Sequence, residues 1–235
     1  LIAEAFRTIR SNLQFISTKE GPKLMAVTST ISREGKTFVA INIGGIIAYS
    51  GKKVILLDLD MRKPKIHLGF GAENIKGMST LLIEKDSLES CIQHSKLENL
   101  DFITAGPTPP NPSELIISGK LDEIIATLKK TYDLVIIDNP PVGLVTDGIS
   151  IIQKADYPLY IVRSEYSKKN FIQNIDKLII DNKITKLSVI LNGFNANASG
   201  YGYGGKYGYG YGYGYGYGYG YGYYEENGDQ KENLI

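Results

Sequence analysis

The stretch that decides the fold is residues 24–37, where Leu24-Met-Ala-Val-Thr28 runs into Ser29-Thr-Ile-Ser-Arg-Glu-Gly-Lys-Thr37. A short apolar strand is followed by a polar loop, and a helical pattern begins at Lys36. In this order, the loop N–H groups and the helix N-terminus can cradle an anion. Lys36 would complete the cradle by reaching the β and γ phosphates of a nucleotide, and Thr37 would ligate Mg²⁺.

This loop matches the Walker A phosphate-binding motif only in part. A full motif has glycine six positions before its lysine, where this chain has Thr30. The tripeptide Gly35-Lys36-Thr37 alone suits an ordinary helix start with a solvated lysine equally well. The assignment therefore depends on motifs further along the chain.

Outward from this stretch, short apolar runs alternate with helical patterns over residues 1–195. The runs lack polar alternation, as expected of strands covered on both faces. Strands are predicted at 24–28, 54–58, 100–104, 133–138, 158–162 and 187–191. Helices are predicted at 2–16, 36–49, about 79–95 with room for a break, 121–130, 147–154 and 168–181. The order predicts an α/β fold with a doubly wound, mostly parallel sheet, whose ligands bind at the carboxyl ends of the strands.

Aspartates stand at the ends of two of these strands. One apolar run leads into Asp58 and Asp60, and another leads into Asp138 in a Walker B pattern. A single aspartate in such a place most often starts a turn. Three of them downstream of Lys36 instead favour one site, in which carboxylates hold Mg²⁺ and either Asp58 or Asp60 accepts a proton.

Composition changes abruptly near residue 195. From Gly200 to Tyr224 the chain is Tyr and Gly, broken only by Lys206. Such a segment has almost no aliphatic side chain to bury and pays a high entropic cost on ordering. We therefore predict two parts, a folded domain over 1–195 and a disordered tail over 196–235. The tail contains twelve of the seventeen tyrosines, namely Tyr201, Tyr203, Tyr207, Tyr209, Tyr211, Tyr213, Tyr215, Tyr217, Tyr219, Tyr221, Tyr223 and Tyr224.

Bulk properties exclude several classes of function. A net charge of +1 gives no electrostatic argument for a nucleic-acid partner. The single cysteine, Cys91, excludes an intramolecular disulfide and a four-cysteine metal site. No apolar run approaches the roughly 20 residues that span a bilayer, and no secretory signal is visible. The start at Leu1 rather than Met suggests a fragment of a longer protein.

The motifs taken together resemble bacterial tyrosine kinases, the BY-kinase family of capsule and exopolysaccharide co-polymerases. The resemblance covers nearly the whole chain, and it adds a Pro-rich segment, an oligomerisation motif and a tyrosine cluster to the phosphate loop. The matching segments are Gly35-Lys-Thr37, Ile55-Leu-Leu-Asp-Leu-Asp-Met-Arg62, Ile136-Ile-Asp-Asn-Pro-Pro141, Gly106-Pro-Thr-Pro-Pro-Asn-Pro-Ser-Glu-Leu115 and Glu4-x-x-Arg7-x-x-Arg10. Related MinD/ParA-like ATPases share single pieces but lack the tail.

The resemblance implies a P-loop tyrosine kinase domain that uses ATP and Mg²⁺ to phosphorylate its own tail tyrosines. The implied catalytic residues are Lys36, Asp58, Asp60 and Asp138, and the implied metal ligands are Thr37, Asp58 and Asp138. The implied nucleotide-binding residues are Ser32, Arg33, Glu34, Gly35, Lys36, Thr37, Phe38, Arg62 and Asn192. Asn192 resembles an adenine contact of related folds, and its alternative is a turn residue.

The family context also implies partners and a location. Unphosphorylated chains would form a ring-like homo-oligomer through Glu4, Arg7 and Arg10, whose alternative is an intrahelical ion pair. A membrane-spanning activator, fused or separate, and a tyrosine phosphatase would act with the chain in the cytoplasm, at the inner face of the cell membrane. No nucleic-acid partner is implied.

Two alternatives to the kinase interpretation stay open from the residues. In one, the chain is a MinD/ParA-like regulatory ATPase switch whose Tyr/Gly tail is an assembly module. In the other, the tail makes the chain a structural self-association protein, because alternating tyrosines all lie on one face of a strand. Incubation with ATP and Mg²⁺ separates the three, since they give phosphotyrosine, free phosphate alone, or neither.

Overall fold

The computed structural model describes residues 2–16, 20–143 and 148–195, which form a layered α/β domain. The strands are β1 (Lys23–Ser29), β2 (Val54–Asp58), β3 (Gln93–His94), β4 (Leu100–Ile103), β5 (Leu134–Asp138), β6 (Tyr157–Arg163) and β7 (Ser188–Asn192). The helices are α1 (Ile2–Ile16), α2 (Lys36–Ala48), α3 (Ile66–Phe70), α4 (Met78–Leu82), α5 (Leu88–Cys91), α6 (Pro112–Ile117), α7 (Gly119–Leu128), α8 (Ile149–Lys154) and α9 (Asn170–Asp181).

The strands form one sheet in the order β3-β4-β2-β5-β1-β6-β7. Neighbouring strands are parallel except for the short antiparallel pair β3–β4 at one edge. The strands β2 and β5 are in register at their ends, where Asp58 pairs with Asp138. This register brings the predicted acidic residues to the same edge of the sheet as the end of β1.

Side chains from the central strands alternate between two hydrophobic cores, one on each face of the sheet. Leu56 and Ile136 pack on the face covered by α1 and α2, whereas Leu57 and Ile137 pack on the opposite face with residues of α4 to α8. Because both faces are covered, β2 and β5 are buried along their whole length. The predicted doubly wound, mostly parallel sheet is confirmed.

The element bounds mostly follow the predictions and depart from them in one region. Where a helix was predicted at about 79–95, with room for a break, the structure has two short helices, α4 and α5, and the edge strand β3. Glu84 has a left-handed backbone (φ 58°), which ends the first helix, and the Ser87 hydroxyl accepts a hydrogen bond from the Ser90 N–H to start the second. Helices α3 and α6 were not predicted, because each has at most six residues.

Some predictions fall outside the described residues. These are the disordered state of the tail over 196–235, its twelve tyrosines, and the start of the helix predicted from Asp147. Among the residues described, no helix combines the length and apolar character needed to cross a membrane.

Candidate active site

The phosphate loop connects β1 to α2 and has a backbone that only glycine suits at one position. Gly35 immediately precedes α2 with φ 98°, a left-handed conformation that favours glycine. A Cβ atom at this position would also lie 2.1 Å from Nδ2 of Asn192. Gly35 is therefore required by its backbone, and a larger residue at this position would also displace the Asn192 side chain.

A cavity of about 620 Å³ opens in front of this loop. Its lining is mostly basic, because five lysine or arginine residues face one acidic residue, which suits a polyanionic ligand such as a nucleotide polyphosphate. The lining residues are Ser32, Arg33, Gly35, Lys36, Thr37, Phe38, Asp60, Lys63, Lys65 and Arg163.

Lys36 and Asp60 form an ion pair in the floor of the cavity. Their Nζ and Oδ2 atoms are 3.6 Å apart, and both residues are buried. Burial raises the pKa of the Asp60 carboxyl above its usual range, and the Lys36 ammonium opposes that shift. The ion pair therefore holds Lys36 at the N-terminus of α2, where the phosphate groups of a nucleotide would lie.

Asp138 ends β5 beside the first turn of α2. Its Oδ2 accepts a hydrogen bond of 2.5 Å from the Thr37 hydroxyl, whereas its Oδ1 is buried and has no hydrogen-bond partner within the described residues. Burial raises the pKa of this carboxyl to about 6, against the lowering effects of Lys36 and the Thr37 bond. A buried carboxylate oxygen without a partner is costly, and a bound cation or a water molecule would offset that cost.

Asp58 lies next to Asp138 in the sheet but is used differently. Its Oδ1 accepts the Asp60 N–H at 3.1 Å, and its Oδ2 accepts the N–H groups of Lys65 (3.1 Å) and Ile66 (3.0 Å). Burial first, and then the negative charge of Asp138, raise the pKa of Asp58 to about 8. The side chain thus orders the turn after β2 and the start of α3.

These side chains fit a magnesium ion in part. Over residues 2–16, 20–143 and 148–195, no group of three or more His, Cys, Asp or Glu could hold a metal ion by itself. Mg²⁺ is usually bound through one or two carboxylates, with water and substrate phosphates completing its octahedron. The Thr37 hydroxyl and the unpartnered oxygen of Asp138 have the oxygen chemistry for this arrangement.

Three of the predicted nucleotide-binding residues do not line the cavity. Glu34 is fully buried, and its side chain is absent from the cavity lining. Arg62 is exposed and donates a 2.9 Å hydrogen bond to Ser113 in α6. Asn192, at the end of β7, donates to the Glu34 carbonyl at 3.0 Å and contacts Gly35. The other predicted residues of the phosphate loop, from Ser32 to Phe38, line the cavity.

The predicted oligomerisation motif lies on α1. Arg7 pairs with Glu4 one turn away at 2.9 Å, which is the intrahelical alternative, and Arg10 donates to the Ile46 carbonyl at 3.4 Å. Both Glu4 and Arg7 are exposed, so the side of α1 that carries them faces solvent.

Sequence reasoning missed Arg163, Lys63 and Lys65 as cavity residues. Arg163 is the last residue of β6, and both lysines follow Asp60 in the turn before α3. Arg163 was identifiable in principle, because carboxyl ends of parallel strands meet at one edge of the sheet. No sequence pattern distinguished Lys63 and Lys65 as ligand-binding residues, because charged runs in turns are usually solvated.

Comparisons with known proteins agree with this geometry. Residues 22–189 match the family model described as AAA domain. Tyrosine-protein kinase YwqD of Bacillus subtilis (strain 168) is 36% identical over 193 residues, which cover 82% of this chain and 81% of the relative. Putative tyrosine-protein kinase CapB of Staphylococcus aureus is 37% identical over 191 residues, or 81% and 84% of the two chains.

Other relatives are longer. A Klebsiella pneumoniae protein named as a putative tyrosine-protein kinase in cps region is 34% identical over 82% of this chain, which corresponds to 27% of the relative. Among solved structures, the kinase domain of Escherichia coli tyrosine kinase ETK has a TM-score of 0.78 and 31% identity, covering 87% of this chain and 81% of that chain. The chain therefore belongs to the AAA domain family and, within it, to the bacterial tyrosine-protein kinases, as a kinase domain on a P-loop NTPase sheet.

Proposed function

We propose that this chain is an ATP-dependent tyrosine autokinase that phosphorylates its own tail. The observation that carries the proposal is the basic cavity, where Lys36 lies beside Asp60 and an unpartnered Asp138 oxygen lies beside Thr37. The phosphate loop would bind ATP with its N–H groups and Lys36. Thr37 and Asp138 would hold Mg²⁺, which when bound neutralises charge on the β and γ phosphates.

In the proposed reaction, the phenolic oxygen bonds to the γ-phosphorus while the bond from that phosphorus to the bridging oxygen breaks. ADP leaves, and the phenolic proton passes to a carboxylate. A phenol with a pKa near 10 is a weak nucleophile at pH 7, so this carboxylate matters. Asp60 is the better candidate, because it lines the cavity beside Lys36, whereas Asp58 is absent from the cavity lining.

Tail composition supports the choice of substrate. Most of the twelve tyrosines between Tyr201 and Tyr224 alternate with glycine, which leaves little steric bulk around their phenols. A Gly-rich coil of about 20 residues reaches roughly 25 Å, so the tail stays at an effective concentration on the order of millimolar. We expect weak selectivity among the twelve positions and several coexisting phosphorylation states.

Phosphorylation would also regulate assembly. Twelve phosphates would add roughly 18 to 24 negative charges to a nearly neutral chain, and the mutual repulsion would disperse a ring-like oligomer. A tyrosine phosphatase would reverse this change. The exposed Glu4 and Arg7 on α1, with Arg10, are the proposed subunit contacts.

The setting of the reaction is proposed from the relatives. Because this chain corresponds to 27% of a longer kinase from a cps region, we propose that it acts with a membrane-spanning activator segment, fused or separate. Together they would control capsular or exopolysaccharide polymerisation at the inner face of the cell membrane, as the family resemblance implies.

The decisive experiment is Lys36→Met in the full chain, with phosphotyrosine measured by mass spectrometry after incubation with ATP and Mg²⁺. We expect phosphotyrosine formation to fall by about 100-fold or more, because the lysine charge at the transferred phosphoryl group is lost. Lys52→Met is the matched control, since Lys52 is exposed on the loop before β2.

Equal phosphotyrosine from both purified variants would disprove the kinase assignment. Release of free phosphate without phosphotyrosine from the wild-type chain would indicate the ATPase switch instead. If neither product forms, the self-association interpretation is left.

A further inference from the structure

Three consecutive carbonyl groups of the phosphate loop, those of residues 32–34, are each capped by a side chain from a later part of the fold. The donors, in order along the loop, are Tyr166 Oη (3.2 Å), Arg163 Nη1 (3.0 Å) and Asn192 Nδ2 (3.0 Å). Arg163 is the last residue of β6, Tyr166 lies in the turn after β6, and Asn192 is the last residue of β7. We name these three donors the carbonyl clamp.

A second connection joins the same turn to the inside of the loop. The buried Glu34 carboxylate accepts the Ile31 N–H at 2.8 Å with one oxygen and a hydrogen bond from the Ser167 hydroxyl with the other. Ser167 Oγ in turn accepts the Arg163 N–H at 2.8 Å. The Glu34 side chain is thus satisfied from both sides and binds the loop to the turn between β6 and α9.

These contacts follow from the demands of anion binding. A loop that points its N–H groups at phosphate must point its carbonyls away from it, where donors from the rest of the fold can hold them in place. The loop is also conformationally unusual, because Arg33 has φ 71° and Gly35 has φ 98°. Without external donors, the conformational entropy lost on ordering such a loop would be subtracted from nucleotide affinity.

We propose that the carbonyl clamp, together with Ser167, preorganises the phosphate loop for nucleotide, so that these residues position the loop without reacting themselves. The Arg163 guanidinium also lies 5.3 Å from the centre of the Tyr166 ring, which keeps the two donors together. The inference rests on the proposed function only in taking ATP as the ligand. It gives Glu34 and Asn192 a role in holding the loop.

Two variants test the clamp in the full chain. Tyr166→Phe removes one hydroxyl and keeps the ring, and Ser167→Ala removes the partner of Glu34. Ser167→Thr keeps a hydroxyl and serves as the rescue. Tyr49→Phe is the matched control, because Tyr49 caps the far end of α2, about 20 Å along the helix from Lys36.

The first readout needs no nucleotide. Hydrogen–deuterium exchange of the amides in residues 30–38 should be about 3- to 10-fold faster in Tyr166→Phe and at least about 10-fold faster in Ser167→Ala, because a loop that loses a hydrogen bond opens more often. Ser167→Thr and Tyr49→Phe should exchange at the wild-type rate. Unchanged exchange in both test variants would overturn the clamp, whether or not the chain binds ATP.

The second readout is the split between KM for ATP and kcat. Contacts that hold the loop act equally on bound substrate and transition state, so KM should rise about 3- to 10-fold while kcat changes less than about 2-fold. An unchanged KM with faster exchange would reduce the clamp to a purely structural feature and overturn its positioning role. If the wild-type chain binds no nucleotide, the proposed function fails while exchange still decides the clamp.

Discussion

Two carboxylates on the same sheet are treated in opposite ways. Asp101, on β4, has both oxygens satisfied within the protein, by His94 Nδ1 at 2.7 Å and by the Tyr132 hydroxyl at 2.6 Å. Asp138, at the end of β5, has one oxygen on Thr37 and another that is buried without a partner in the described part of the chain. The first site is closed, and the second is open.

The difference separates a carboxylate that supports the fold from one that keeps an oxygen available to a ligand. A closed site gains hydrogen bonds and loses stability when either partner is removed. An open site carries the cost of a desolvated oxygen, which only a bound cation or water can offset. Chemistry should therefore depend on Asp138, and stability should depend on Asp101.

The largest expected effect is on turnover. Asp138→Asn should lower phosphotyrosine formation by about 100-fold or more, because the neutral amide binds Mg²⁺ weakly. In the absence of metal at pH 8, the same variant should unfold at the wild-type temperature or above it, because a buried charge is removed. Thermal unfolding in EDTA and a phosphotyrosine assay measure the two effects.

Asp101→Asn is the matched control for that variant. It should lower the free energy of unfolding by about 1 to 2 kcal/mol through weakened bonds to Tyr132 and His94, with phosphotyrosine formation within about 2-fold of wild type. The comparison breaks down if Asp138→Asn destabilises the metal-free protein as much as Asp101→Asn does.

A second effect is on the pH dependence of stability. Burial holds the pKa of Asp58 near 8, whereas the unfolded chain releases that proton near 3.8. The folded state therefore binds more protons between these values, so the contribution of Asp58 to the free energy of unfolding falls as pH rises from about 4 to 8. Denaturant unfolding of the metal-free protein across this range measures the fall.

The useful quantity is the difference between wild type and Asp58→Asn, because other groups also titrate. The stability of wild type minus that of Asp58→Asn should fall steadily as the pH rises toward 8. A wild-type advantage over Asp58→Asn that grows with pH would contradict the expected sign.

The open site was largely predictable from the sequence, because its members are fixed by strand ends. Asp58, Asp60 and Asp138 follow apolar runs, Lys36 follows the loop after β1, and parallel strands gather their carboxyl ends at one edge. The sequence could not show which of these residues acts on a ligand and which supports the fold. Asp58 is used to order the turn before α3, and this role depends on N–H groups seven and eight residues later.

The closed site and the carbonyl clamp were not predicted at all. His94, Asp101 and Tyr132 come from three separate segments, and only the β3–β4 pairing and the packing of Tyr132 bring them together. Ser167 reaches Glu34 across 133 residues of sequence. Such contacts carry no local pattern, since hydroxyl and carboxylate side chains occur on any solvated surface.

The smallest effect distinguishes the two partners of Asp101. The Tyr132 side chain is largely buried, and burial together with its bond to Asp101 raises the pKa of its hydroxyl, so the group stays a donor. Tyr132→Phe should lower the free energy of unfolding by about 1 kcal/mol, or about 2 to 4 °C in Tm, because Asp101 loses a buried donor. His94 is 80% exposed in its side chain, so His94→Gln should cost less than about 0.5 kcal/mol. If chemical denaturation gives the two variants equal losses, then burial of the donor is not what makes the site at Asp101 stabilising, and its contrast with the open oxygen of Asp138 loses its physical basis.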